Sequence, residues 1–146
     1  MKEIVVDANI IVKWYIEEEN SDKARILQLK FIEGEIDLLV PSLFYFEVLN
    51  ALKYSKLFDQ KELNQAAESI ENYGFTVVTI EEKIREKMVN VALNHDISIY
   101  DAAYVALSSS LEKRLFTADG KIIKKLPNPL KKYVKHLVQI EDWLNP

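Results

Sequence analysis

The sequence predicts an α/β fold, a parallel β-sheet covered by helices on both faces. Two observations carry this reading. Short apolar runs alternate with longer stretches of helical spacing along the chain, the order expected of strand–helix–strand units. The runs are apolar throughout rather than alternating with polar residues, as strands buried on both faces require. With 146 residues, 49% of them hydrophobic, the chain can enclose a substantial core.

The elements follow in order. Ile4-Val5-Val6 reads as a buried strand. Helical pieces cover about 10–17 and 21–33, and Gly34 is placed to end the second. A second strand lies at 38–40. Pro41-Ser42 opens a helix running to about 56, with Pro near its first turn. Asp59 and Glu62 have capping-box spacing and start a helix to about 73. Residues 75–80 form the third strand. The helix at 81–94 places Ile84, Met88, Val91 and Ala92 on one face. A mostly apolar helix begins near Tyr100, and 115–117 is the fourth strand. A short helical segment at 121–126 is broken by Pro127 and Pro129, and 137–140 is the fifth strand. With no repeat, low-complexity stretch or linker, one domain over 1–146 is expected.

Composition excludes several chemistries. The absence of cysteine removes disulfides, thiolate metal sites and Cys nucleophiles. Three glycines, at 34, 74 and 120, cannot build a phosphate-binding loop of the P-loop or dinucleotide type. His95 and His136 lie in different neighbourhoods, which gives poor support to a metal-free two-histidine ribonuclease. Ser108, Ser109 and Ser110 lie in a helical stretch without an elbow motif, so a Ser-His-Asp triad is not expected. No apolar stretch reaches the roughly 20 residues that span a membrane. The N-terminus lacks a signal-peptide pattern, and a cytoplasmic protein is expected. A net charge of −4 does not mark a nucleic-acid binder. Lysines 121, 124, 125, 131, 132 and 135 nonetheless crowd the last quarter. They read either as a solvated surface or as a local basic rim for phosphates.

Four acids stand where acids are expensive. Asp7 ends the first strand, Glu47 lies inside an apolar helix, Asp101 opens another, and Asp119 follows the fourth strand. A carboxylate drawn into apolar surroundings must neutralise, pair or bind a cation. Each has a plainer reading. Asp7 can cap the helix after it, although Asn9 is also a good cap. Glu47 can reach out beside Lys53 or Tyr54. Asp101 completes a capping box with Ser98, and Asp119 before Gly120 fits a turn. In parallel sheets ligands gather at the carboxyl ends of strands, so Asp7 and Asp119 converge if their strands are neighbours. Four acids with few nearby bases suggest one shared divalent ion, and all-oxygen ligands suit Mg²⁺ or Mn²⁺ over zinc.

Val5-Val6-Asp7-Ala8-Asn9, Val40-Pro41-Ser42 with Glu47, Tyr100-Asp101-Ala102-Ala103-Tyr104-Val105-Ala106-Leu107, and Leu115-Phe116-Thr117-Ala118-Asp119 together resemble the successive motifs of PIN-domain nucleases. The likeness is to the small VapC-type toxins of toxin–antitoxin pairs, over essentially the whole chain. It implies a three-layer α/β/α sandwich whose five-stranded parallel sheet has the order 3-2-1-4-5. It implies an endoribonuclease dependent on Mg²⁺ or Mn²⁺, with Asp7, Glu47, Asp101 and Asp119 as metal-binding, catalytic acids and Asn9 and Thr117 as accessory polar positions. It implies an RNA substrate, a cognate antitoxin and a homodimer; aromatics among Trp14, Phe44, Tyr45 and Tyr54 are candidates for either protein contact. Two other classes stay open: an α/β phosphosignalling or phosphatase-like domain, and a catalytically silent PIN-like interaction module.

Overall fold

A computed structural model describes residues 2–145. Five strands form one parallel sheet: β1 (Lys2–Val6), β2 (Ile36–Pro41), β3 (Thr76–Val78), β4 (Leu115–Thr117) and β5 (Val134–His136). Their order is β3-β2-β1-β4-β5, as the family likeness implied. β1 is central, with Ile4 opposite Leu38 on one side and Val6 opposite Phe116 on the other. The strand order therefore brings the ends of β1 and β4 together.

The sheet is flanked by α1 (Ala8–Val12), α2 (Ser21–Ile32), α3 (Leu43–Ser55), α4 (Gln60–Asn72), α5 (Glu82–His95), α6 (Ile99–Leu111), α7 (Gly120–Lys125), α8 (Asn128–Lys131) and α9 (Ile140–Leu144). α6 packs against β1, β2 and β4, and residues 102–109 along it are all buried. Ile4, Val5, Val6, Leu38, Leu107 and Phe116 are sealed from solvent, each worth about 1.5–3 kcal/mol. Asp59 and Glu62 form the expected capping box of α4. Gly34 takes φ +76° just beyond α2, and the Glu35 N–H closes the helix end onto the Lys30 carbonyl at 3.0 Å. Among the described residues, no helix is long and apolar enough to cross a membrane.

Four local expectations are corrected. The fifth strand is Val134–His136, and Leu137–Gln139 is instead a 3₁₀ turn leading into α9. Leu137 and Ile140 are both fully buried, and a three-residue interval suits a helical turn better than a strand, which would point them to opposite faces. The first helix stops at Val12, where the backbone tightens: the Lys13 N–H reaches the Ile10 carbonyl at 3.1 Å and the Trp14 N–H the Ile11 carbonyl at 2.9 Å, while the Lys13 ammonium is held by the Glu19 carbonyl at 2.7 Å and the Glu18 carboxylate at 3.2 Å. Pro41 is the last residue of β2, opposite Val78, rather than part of α3. Pro127 and Pro129 do more than break a helix: Pro127 caps α8 and Pro129 sits in its first turn, where a missing N–H costs nothing.

The aromatic candidates also divide. Phe44 belongs to the core, 4.8 Å from Phe75 between ring centroids. Trp14 packs on Tyr73 at 5.0 Å and gives its indole N–H to the Ala24 carbonyl at 2.8 Å. Tyr45 is half-buried against Phe44. Of the four, Tyr54 is largely exposed.

Candidate metal centre

β1 hands the chain directly to Asp7, whose N–H continues the ladder to the Phe116 carbonyl at 3.0 Å. The residue is thus fixed at the carboxyl edge of the sheet. It is the N-cap of α1, with its carboxylate receiving the Asn9 N–H at 3.4 Å. Asn9 does not cap the helix; its side chain crosses to the turn after β4. There it accepts the Ala118 N–H at 3.1 Å and donates to the Thr117 hydroxyl at 3.2 Å.

Thr117, fully buried, is the hub. Its hydroxyl donates to Asp7 Oδ2 at 2.9 Å and accepts from Asn9 Nδ2 and, at 3.1 Å, from the Asp119 N–H. One donor and two lone pairs are all in use. The two loops at the centre of the sheet are therefore locked together, and Asp7 has one orientation.

Glu47 enters from α3. It does not reach towards Lys53 or Tyr54; it accepts the Tyr104 phenol at 2.6 Å. Asp101 stands in the first turn of α6, where its N–H is capped by Ser98 Oγ at 3.0 Å. The reciprocal bond of a capping box is not made, so the Asp101 carboxylate is free of the capping duty foreseen for it. Asp7, Asn9, Glu47 and Asp101 line one cleft of about 290 Å³. Asp119 lies outside that lining, capping α7 through the Lys121 N–H at 2.9 Å. It is still close enough to act on Asp101 electrostatically.

The cleft stores unfavourable charge. Asp7, only 6% exposed, has its pKa pushed up to about 7; burial is the main cause, opposed by the Thr117 bond and reinforced by Asp101 and Glu47. Burial also raises Glu47, against the pull of Tyr104 and with a further push from Asp101. Asp101 is raised by burial and Asp119, and lowered by Ser98 and Lys125. Among the described residues, no Lys, Arg or His lines the cleft; the cations near it are Lys13, paired with Glu18, and Lys125, which acts on Asp101.

The donor set fits a hard divalent cation. Among the described residues, no group of three or more His, Cys, Asp or Glu side chains is gathered closely enough to hold an ion by itself. Mg²⁺ keeps several of its waters and needs one or two direct carboxylates, so an open, oxygen-lined cleft suits it better than a closed cage would.

Two neighbours went unnoticed in the sequence. Tyr104 was hidden in an apolar run; a lone phenol amid Ala, Val and Leu is the signal, because a buried hydroxyl needs a partner. Glu18 was one of three consecutive glutamates, yet it lines the cleft and is held there by the buried Lys13 at 3.2 Å. Nothing in the sequence separates it from Glu17 and Glu19.

The chain is similar to known proteins in sequence and in fold. The chain is 30% identical to Ribonuclease VapC3 of Pyrobaculum aerophilum over 128 residues, 85% of this chain and 95% of that relative. Its fold is similar to VapBC2 of Rickettsia felis, solved bound to a promoter DNA fragment, with a TM-score of 0.66, 17% identity and coverage of 92% and 98% of the two chains. It is also similar to a chain of a toxin–antitoxin complex from Klebsiella pneumoniae, with a TM-score of 0.63, 15% identity and coverage of 92% and 97%. The family model described as PIN domain matches residues 4–128, and with the parallel order β3-β2-β1-β4-β5 and acids gathered at its carboxyl edge, the chain belongs to the PIN-domain family.

Proposed function

We propose that this chain is a metal-dependent endoribonuclease and the toxin member of a toxin–antitoxin pair, acting as a single domain over 1–146 in the cytoplasm. The observation that carries the reading is the meeting of Asp7, Glu47 and Asp101 in one cleft with no cation among its described lining residues, in a chain 30% identical to a ribonuclease. Asp7, Glu47 and Asp101 hold Mg²⁺ or Mn²⁺, directly or through water, and Asp119 assists from the rim. When bound, such an ion supplies a water of lowered pKa and positive charge against the in-line transition state of phosphodiester hydrolysis.

The chain's own residues do the positioning. Thr117 and Asn9 hold the Asp7 carboxylate to one direction, and Tyr104 does the same for Glu47. Without a cation, these acids would repel the RNA backbone. The likeness to a chain of a toxin–antitoxin complex supports a protein antitoxin as partner, and a homodimer is proposed from the family resemblance alone. The test is incubation of the protein with a panel of RNAs in Mg²⁺, Mn²⁺ or chelator, beside Asp101→Asn. Internal cleavage by the unaltered protein in either metal, lost in chelator and in the variant, is expected. An intact panel under every metal condition refutes the proposal.

A further inference from the structure

Three consecutive glutamates follow α1, and the fold treats one of them unlike the others. Glu17 pairs with Arg25 of α2 at 2.6 Å. Glu19 gives its backbone carbonyl to the Lys13 ammonium at 2.7 Å. Glu18 lines the acidic cleft together with Asp7, Asn9, Glu47 and Asp101. Its place is fixed by backbone and side chain alike. The Glu18 N–H donates to the Ser21 hydroxyl at 2.9 Å, and the Glu18 carbonyl accepts the Ser21 N–H at 3.1 Å. Ser21 is 1% exposed, and its hydroxyl donates in turn to the Ile16 carbonyl at 3.0 Å. Asn20 carries the turn at φ +65°, a conformation that Asn tolerates. Lys13 then takes Oε1 of the Glu18 carboxylate at 3.2 Å.

Lys13 is the costly part of this arrangement. It is 8% exposed, and a charge taken out of water persists only when paired and hydrogen-bonded. An ion pair left in solvent is worth little, so an exposed glutamate has no need of a buried partner. A buried lysine that holds one glutamate of three fixes where that carboxylate lies. It also balances its charge. Asp101 and Glu47 already raise Asp7, and Asp101 raises Glu47; with Lys13 beside it, Glu18 joins them without adding another unbalanced charge. Oε1 is committed to Lys13, while 41% of the Glu18 side chain stays in solvent, so the carboxylate can still meet water. A hard divalent ion such as Mg²⁺ keeps several of its waters, and groups hydrogen-bonded to its ligands hold it in place and tune its affinity. We propose that Glu18 accepts hydrogen bonds from the water shell of an ion held by Asp7, Glu47 and Asp101, and that the buried Lys13 is its positioning residue. The inference rests on the metal-dependent reading of the cleft, and it adds the loop between α1 and α2 to that site.

The test is Mn²⁺ binding, measured by titration calorimetry with no RNA present. Glu18→Ala should weaken binding about 10- to 100-fold, and Glu18→Gln, which keeps one oxygen acceptor, should lose less. Glu17→Gln removes the same charge one residue away and should bind as the unaltered protein does. The Glu18→Ala loss should persist in about 1 M KCl, where charges beyond roughly 3 Å are screened. A loss that salt abolishes would reduce Glu18 to a distant charge and overturn the proposal. Lys13→Met should weaken binding in the unaltered background and cause no further weakening beside Glu18→Ala. Tighter binding in Lys13→Met would mean that Lys13 only repels the ion and positions nothing. Thermal melting in chelator checks that each variant is folded; if Lys13→Met is not, the two Glu18 variants decide. Glu18→Ala binding Mn²⁺ as the unaltered protein does, while Asp101→Asn binds it poorly, overturns the role of Glu18 and leaves the metal centre standing. Binding weakened in Glu18→Ala, with every RNA left intact by the unaltered protein, keeps the role of Glu18 and refutes the nuclease. An unaltered protein that binds no Mn²⁺ removes both.

Discussion

Tyr104 gives its phenolic proton to Glu47 Oε1 across 2.6 Å, joining α6 to α3 over 57 residues of chain. The tyrosine is 1% exposed, and its own ionisation is pushed far upward by burial and by Asp7 and Glu47. It therefore remains a donor at any working pH. Its place is to hold a carboxylate that would otherwise swing freely in the cleft.

Tyr104→Phe should keep the packing and remove the donor. The expected loss is about 1 kcal/mol of stability together with a rise in the Glu47 pKa, because this bond lowers it. Urea unfolding measures the first. Mn²⁺ titration calorimetry at pH 6 and pH 8 measures the second, with the larger affinity loss at pH 6.

Thr117→Val should be more costly. It strips the donor from Asp7 and leaves the Asp119 N–H and Asn9 Nδ2 without their acceptor. Buried groups left unpaired cost about 1–3 kcal/mol. Thermal melting should show this, whereas Thr117→Ser should retain most of the stability.

Asp7→Asn should abolish cleavage while stabilising the metal-free protein at neutral pH. The folded pKa of Asp7, about 7, lies above its ordinary value of 3.8. Between those values the folded chain keeps a proton that the unfolded chain releases, so stability falls as pH rises through this window and stays low above it. The variant removes the penalty, which is on the order of 4 kcal/mol at most. Its gain in melting temperature in chelator should be nil near pH 4 and reach a plateau above pH 7. A variant less stable than the parent at pH 8 would leave Asp7 only its capping role.

Mn²⁺ should raise the melting temperature of the parent, by about 2.7 kcal/mol of added stability at a hundredfold excess over its dissociation constant. The shift should shrink from pH 8 to pH 5, since protonated acids bind metal poorly. Differential scanning fluorimetry with and without chelator checks both.

The parts of the fold that were legible in the sequence are those governed by local pattern. Ile4-Val5-Val6, Leu38-Leu39-Val40 and Leu115-Phe116-Thr117 read as strands because they are short, apolar and buried on both faces. The α4 capping box was visible in two residues. Local pattern failed where a tertiary contact decides the chain's path. α1 ends at Val12 in tight turns beside the buried Lys13, whose ammonium is held by the Glu19 carbonyl, and Leu137 and Ile140, both buried, lie on a helical turn where the local pattern reads as a strand. The acids could be picked out singly because each was surrounded by apolar residues. Thr117 came only through the family resemblance, as an accessory position, and the role of Tyr104 not at all, because they lie 110 and 57 positions away from the groups they hold.

The distance of 110 positions between Thr117 and Asp7 has a consequence for the life of the molecule. Ribosomes deliver a chain from its amino end at about 5–20 residues per second, so Asp7 emerges seconds before the hydroxyl that orients it. Until β4 is threaded beside β1, the emerging polypeptide lacks the hydroxyl that fixes Asp7. The pocket is thus assembled late in synthesis, only once β4 has been made.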